Sequence, residues 1–206
     1  MQSDIAERKK RSHILKTAGK LFLQRGFSGT SMGEVAAAGA GSKGTIYGYF
    51  RSKEDLFRAF MTEEIQARAT LTFDPLIGAH GLRKTLTDLG YRYLRLLTDP
   101  TTAALFRVVV HEAPRFPEIG KMFNEAGPKP ARQRLADYFY SCIEQRKLSI
   151  DDVPMAVEQF LMLCHARIMQ EFQFGVRAAP TDAEIEATVA AAVATFLAAF
   201  GTDRSD

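Results

Sequence analysis

Apolar positions along this chain recur at helical rather than strand spacing. Ile14, Leu15, Ala18, Leu21 and Phe22 form one face of a helix expected from about Asp4 to Arg25, which Gly26 closes. A second long helix is predicted after Ser52, with Glu54 and Asp55 in its first turn, where carboxylates complement the helix dipole. Leu56, Phe57, Phe60, Met61 and Ile65 line its inner side, and it should end near Phe73-Asp74-Pro75. Beyond Pro75 the helical period continues through 82–98, 101–113, 117–125, 128–146, 154–174 and 181–200. Punctuation separates these runs at Gly78, Asp99-Pro100, Pro114, Gly127-Pro128, Asp151 to Pro154, Gly175 and Ala179-Pro180. The pattern predicts an all-α chain of about nine or ten helices. The one compositionally biased tract is the Ala-rich final helix.

The stretch Thr30 to Lys53 breaks this regularity. It reads as two short helices around a glycine-containing turn, and the second lacks the aliphatic residues of a buried helix. Thr30 and Ser31 can cap the first, whose apolar side is Met32, Val35 and Ala36 and which stops in Ala38-Gly39-Ala40-Gly41. Ser42 caps the second, where only Ile46 and Phe50 form an inward-facing pair. The other face carries Lys43, Gly44, Thr45, Tyr47 and Tyr49. A helix entering a major groove needs small residues for close approach, an N-terminus aimed at phosphate, and donors for base edges or phosphate oxygens. Lys43, Thr45, Tyr47 and Tyr49 supply donors, Gly44 permits approach, and Thr30 and Lys53 are placed for phosphate, with Lys43 the candidate for a base contact.

Charge sharpens this reading. The net charge is only +3, but Met1 to Phe60 holds eleven Lys/Arg against five Asp/Glu, and the remainder is net acidic. Only the N-terminal part therefore favours a polyanion. Arg8, Lys9, Lys10 and Arg11 are either an arm that approaches phosphates or a solvated basic cluster. The charged N-terminal stretch does not read as a signal peptide, and no uninterrupted apolar run approaches the roughly 18 residues needed to span a bilayer, so a cytoplasmic protein with no membrane partner is expected.

Catalytic and metal-binding patterns are missing. His111-Glu112 opens like a zinc-protease helix, but Arg115 stands where the second histidine would be and Pro114 interrupts. Cys164 and His165 are adjacent on a helix and point about 100° apart, a poor nucleophile and base. Cys142 and Cys164 have neither metal-ligand spacing nor a disulfide framework, and read as small core residues. No enzyme, cofactor or metal is expected.

Thr30-Ser31, Val35-Ala36-Ala37-Ala38, Ser42-Lys43-Gly44-Thr45-Ile46-Tyr47, Tyr49-Phe50 and Ser52-Lys53-Glu54-Asp55-Leu56-Phe57 resemble the helix-turn-helix of the TetR/AcrR family of bacterial transcriptional repressors. His111-Glu112-Ala113-Pro114-Arg115-Phe116-Pro117-Glu118 and Glu125-Ala126-Gly127-Pro128 resemble the C-terminal domain of its AefR-like members. The resemblance implies a three-helix DNA-binding domain over 1–58 and a helical ligand-binding and dimerisation domain over 59–206. It places DNA contacts at Thr30, Ser31, Ser42, Lys43, Gly44, Thr45, Tyr47, Tyr49 and Lys53. It also implies a cavity for a small apolar or aromatic effector among the middle helices, for which Phe106, Arg107, Val110, His111, Met122, Phe123, Tyr138, Cys164 and His165 are the candidates. The last two helices, apolar over more than one face, would form a homodimer's four-helix bundle. The expected function is a ligand-responsive repressor that binds a palindromic double-stranded DNA operator. Glycine at 33, 41 and 48, where the family usually has larger residues, motivates a rival reading: a small-molecule or protein-binding module with a decayed helix-turn-helix.

Overall fold

The computed structural model describes residues 2–73 and 81–203, with side chains over 5–68 and 81–203. Ten α-helices follow in order among them: α1 Gln2–Arg25, α2 Met32–Val35, α3 Lys43–Tyr49, α4 Lys53–Phe73, α5 Leu82–Thr98, α6 Pro100–Glu112, α7 Pro117–Ala126, α8 Pro128–Glu144, α9 Val153–Gln173 and α10 Asp182–Phe200. A single π-turn, Ala36–Ala40, continues α2, and no strand occurs among the described residues apart from an isolated Leu148 to Gly201 bridge. The expected breaks at Asp74-Pro75 and Gly78 lie outside the described residues.

Local chemistry explains where helices start and stop. The Asp99 carboxylate accepts from the amides of Thr101 and Thr102, at 3.0 and 2.9 Å, so α6 begins at Pro100, a residue ahead of the sequence expectation. Asp152 accepts from Met155 N at 3.0 Å and starts α9 at Val153. Arg146, at φ 58, ends α8 short of its expected end, while Lys147 N turns back to Cys142 O at 2.8 Å.

Packing divides the chain into two compact units, Met1–Gln66 with Ala104–Gly127, and Ala67–Ala103 with Pro128–Asp206. The first is built on aromatic rings: Phe22 meets Phe57 edge-on at 4.8 Å and Phe27 lies 5.1 Å from Phe57. Ile14, Val35, Ile46 and Phe50 join this core, and so do Leu105, Val108 and Val109 of α6 and Ile119 of α7. These packing units therefore differ from the two segments drawn on the sequence at residue 58, because α6 and α7 share the core of the first helices. The second unit packs α5, α8, α9 and α10 around Phe139, Phe160 and Phe196, with ring centroids 5.1 to 6.3 Å apart.

By length and composition α10 is apolar enough to cross a bilayer. Its Ile185, Val189, Val193 and Phe196 are nonetheless buried in the second unit's core.

Candidate nucleic-acid interface

The first unit presents α2 and α3 on a scaffold of α1 and α4. Ser31 opens α2 with a reciprocal capping box: its Oγ accepts from Glu34 N at 3.2 Å, and Glu34 accepts from Ser31 N at 2.8 Å. The Ser31 hydrogen bonds, side chain first, hold the Glu34 carboxyl below the ordinary range, with Arg25 at 3.0 Å adding to them. Thr30, expected to face phosphate, is only 2% exposed. Its hydroxyl donates to Gly26 O at 2.9 Å, so it fastens the α1–α2 loop.

The turn between the helices is a built conformation. Gly41 sits at φ 127, ψ −173, a region that disfavours side chains, and a Cβ there would stand 3.3 Å from Lys10 Nζ and 3.4 Å from Thr45 Cγ2. His13 Nε2 lies 3.1 Å from Gly39 O and ties the turn to α1, while Ala40 is fully buried.

Ser42 caps α3 by accepting from Thr45 N at 3.0 Å, and the two hydroxyls pair at 2.8 Å. Ile46 and Phe50 are buried as the pattern predicted. Ser42, Lys43, Gly44 and Tyr47 are exposed, whereas Thr45 is half-buried and Tyr49 packs partly against the core. Lys43 lies back across α2: a Cβ at Gly33 would come within 2.9 Å of its Cε and 3.2 Å of its Nζ. Lys53 donates from Nζ to Phe27 O at 3.0 Å and sits 4.2 Å above the Phe27 ring. Thr30, Ser31, Gly33, Lys43, Tyr47, Lys53 and Ser28 surround an open depression of about 400 Å³.

The candidate ligand residues do not share one packing unit. Phe106, Arg107, Val110 and His111 are exposed on α6, with Met122 and Phe123 half-buried on α7, all in the first unit; the Phe106 and Phe123 rings lie 6.2 Å apart. Tyr138, Cys164 and His165 belong to the second. Burial pushes the Tyr138 hydroxyl and the Cys164 thiol each up to about 12, so Cys164 is a protonated core thiol. His165, its pKa lowered by burial, stacks on Tyr93 and lies with Nε2 2.9 Å from the Tyr93 hydroxyl. The next residue, Ala166, breaks α9 at φ 38, ψ −155, a strained conformation for a residue with a side chain.

Ser28, Gly33 and Glu112 were not singled out from the sequence as site residues. Glu112 carried a signal, since it stands in the stretch that resembles the AefR-like members. Gly33 read as a loss because the lysine that fills its space comes from another helix. Among the described residues no group of three or more His, Cys, Asp and Glu is arranged to hold a metal.

Comparison with known proteins puts this geometry in context. Residues 14–60 match the family described as bacterial regulatory proteins, tetR family, and residues 84–202 match the AefR-like transcriptional repressor, C-terminal domain. The HTH-type transcriptional regulator AcrR of Shigella flexneri is 38% identical over 97 residues, a match covering 41% of this chain and 45% of AcrR. The chain thus spans less than half the length of that curated relative. The solved structure of the flavonoid-responsive regulator FrrA is 32% identical with a TM-score of 0.84, over 95% of this chain and 98% of FrrA. A TetR-family transcriptional regulator from Mesorhizobium loti is 26% identical with a TM-score of 0.84, over the same 95% and 98%.

Proposed function

Because this chain belongs to the TetR family, whose members are DNA-binding transcriptional regulators and not enzymes, we propose that it is a homodimeric repressor that binds a palindromic operator and releases it when an apolar or aromatic molecule binds. The observation that carries the DNA part is the capped α3, which buries only Ile46 and Phe50 inward and turns Lys43, Gly44 and Tyr47 to solvent beside the Ser31 end of α2. Two helix N-termini flank the depression, and the Ser31 and Ser42 caps with Lys53 give phosphate donors. Lys43 and Tyr47 take the base-facing positions, with Thr45 and Tyr49 steadying α3.

The turn argues against the rival reading of a decayed motif. Gly41 adopts a backbone conformation that suits glycine, His13 braces Gly39, and Gly33 makes room for Lys43.

Dimerisation rests on the faces that α9 and α10 leave open. Met155, Gln159, Met162 and Ala166 recur on the exposed side of α9, and α10 exposes Ala187, Ala190, Ala191, Ala194 and Ala198 without a charged residue after Glu186. Water-facing helix surfaces ordinarily carry charge, and small residues let two helices approach closely.

For the effector, the strongest support is the part-buried Tyr93–His165 pair beside the strained Ala166. Tyr138 and Cys164 belong to the same unit, and Phe106, Arg107, Val110, His111, Met122 and Phe123 form the second candidate set. FrrA being flavonoid-responsive makes flavonoids the first compounds to try. The test is a gel shift on the duplex upstream of the chain's own gene with flavonoids titrated in. A retarded complex dissolved by at least one compound, some 5- to 150-fold in affinity for a coupling of about 1–3 kcal/mol, is expected. Binding to random duplex as tight as to the upstream duplex would reject the proposal.

A further inference from the structure

Among the described residues Glu112 is the one charged side chain that is buried, at 3% exposure, and the proposed function makes no use of it. Burying a carboxylate is unfavourable unless donors meet it. Glu112 is met from far along the chain: Ser28 Oγ donates to Oε2 at 2.6 Å and Ser28 N to Oε1 at 2.8 Å. The seat is shaped for it. Gly26 takes φ +76, and a Cβ there would stand 2.9 Å from Glu112 Oε1, so position 26 needs a glycine both for backbone and for space.

The loop so gripped is the one that launches α2. Gly26 O receives the Thr30 hydroxyl at 2.9 Å, Phe27 O receives Lys53 Nζ at 3.0 Å, and Ser31, directly after, caps α2. Ser28 falls in the sequence between the matched N-terminal residues 14 and 60, whereas Glu112 falls within the C-terminal match, 84–202, yet both pack in one unit. A carboxylate on the last residue of α6 therefore fixes the loop that sets Ser31 and Lys53.

We propose that Glu112 is a positioning residue for DNA binding: it clasps Ser28 and so holds the start of α2 and Lys53 in the arrangement that meets the duplex. This rests on the DNA-binding reading above. The clasp is a direct polar contact from α6 to the α1–α2 loop, beside the packing of Leu105, Val108 and Val109 in the same core. Loss of the carboxylate leaves Ser28 N–H without its partner, while Thr30, Lys53 and the buried Phe27 ring still hold the loop.

The experiment uses the full chain and the variants Glu112→Ala, Glu112→Gln, Ser28→Ala and the Glu112→Ala/Ser28→Ala pair, each checked by circular dichroism to be folded at the assay temperature. Affinity for the upstream duplex should fall roughly tenfold or more in Glu112→Ala, equivalent to about 1.4 kcal/mol. Glu112→Gln should recover most of it, because an amide can accept from Ser28 N and donate to Ser28 Oγ. The double variant should bind no more weakly than Glu112→Ala alone, since both changes break one contact. Hydrogen exchange without DNA should quicken at the amides of Phe27 to Glu34 in Glu112→Ala and stay as in wild type over α9 and α10. A folded Glu112→Ala protein with wild-type affinity, or one whose loss Gln does not rescue and whose exchange quickens throughout, overturns the proposal. Should wild-type protein ignore the upstream duplex, the DNA-binding reading falls and this role with it, while the exchange comparison still decides whether the clasp orders the loop.

Discussion

At the scale of single residues, the glycines that read as losses in the sequence divide into three kinds. Gly41 is required by its own backbone, Gly33 lies beneath the flexible end of Lys43, and Gly48 has nothing within 4 Å of an added Cβ. None of this was legible from the chain alone, because a residue's φ and the neighbour that fills its space are tertiary facts. Ser31, Ser42 and the Ile46–Phe50 pair were legible, since capping and i, i+4 burial are local patterns. The Gly33–Lys43 contact yields a prediction. The atoms a Cβ would displace are the flexible end of Lys43, so Gly33→Ala should leave thermal stability nearly unchanged and re-aim the ammonium. If Lys43 reads a base edge, Lys43→Ala should relax preference at one position per half-site at a cost of about 1–3 kcal/mol, and Gly33→Ala should alter preference at the same position. Binding selections from randomised duplexes for the two variants check this, and a Gly33→Ala preference identical to wild type would count against it.

At the scale of elements, helix existence and most boundaries followed from apolar period and punctuation, while the break inside α9 at Ala166 did not, because no Gly or Pro marks it in the sequence. The start of α10 shows how local chemistry makes a boundary legible. Thr181 and Glu184 form a capping box, and Arg177 grips the Glu184 carboxylate with Nη2 at 2.6 and 2.7 Å. These bonds, Arg177 first and then the Thr181 backbone and hydroxyl, push Glu184 down to about 2. A carboxyl depressed from its ordinary value near 4.3 adds stability that is complete above that value and is lost as pH falls through the folded-state value. Glu184→Gln should therefore be less stable than wild type near neutrality, and the gap should close as pH falls from about 5 towards 2. Urea midpoints for both proteins at about pH 7 and about pH 2.5 measure it, and an equal gap at both would show that charge plays no part.

At the scale of the whole molecule, two helical cores and a TetR-type reading head could be anticipated, but which residues of the last helices face outward could not. Read from the apolar period alone, Val193 and Phe196 are candidates for the outward, partner-facing positions of α10. The structure corrects that choice: both are core residues, at 1% and 0% exposure, and alanines occupy the open face. The physical reason is size, since bulky side chains fill the unit's own interior and small ones leave a surface on which another helix can lie close. Phe196→Asp should consequently unfold the second unit, as a carboxylate would be buried without a donor. Ala194→Glu and Met162→Glu should instead leave folded protein that no longer dimerises. Light scattering on the eluting species and circular dichroism separate the two results. A palindromic operator needs two reading heads held about one duplex turn or a little more apart, so folded monomer should lose protection of the full site while keeping weak, salt-sensitive binding to any duplex. A folded Ala194→Glu/Met162→Glu protein that remains dimeric would place the partner surface elsewhere, and a folded monomer that still footprints both half-sites would show that pairing of heads is not what confers operator affinity.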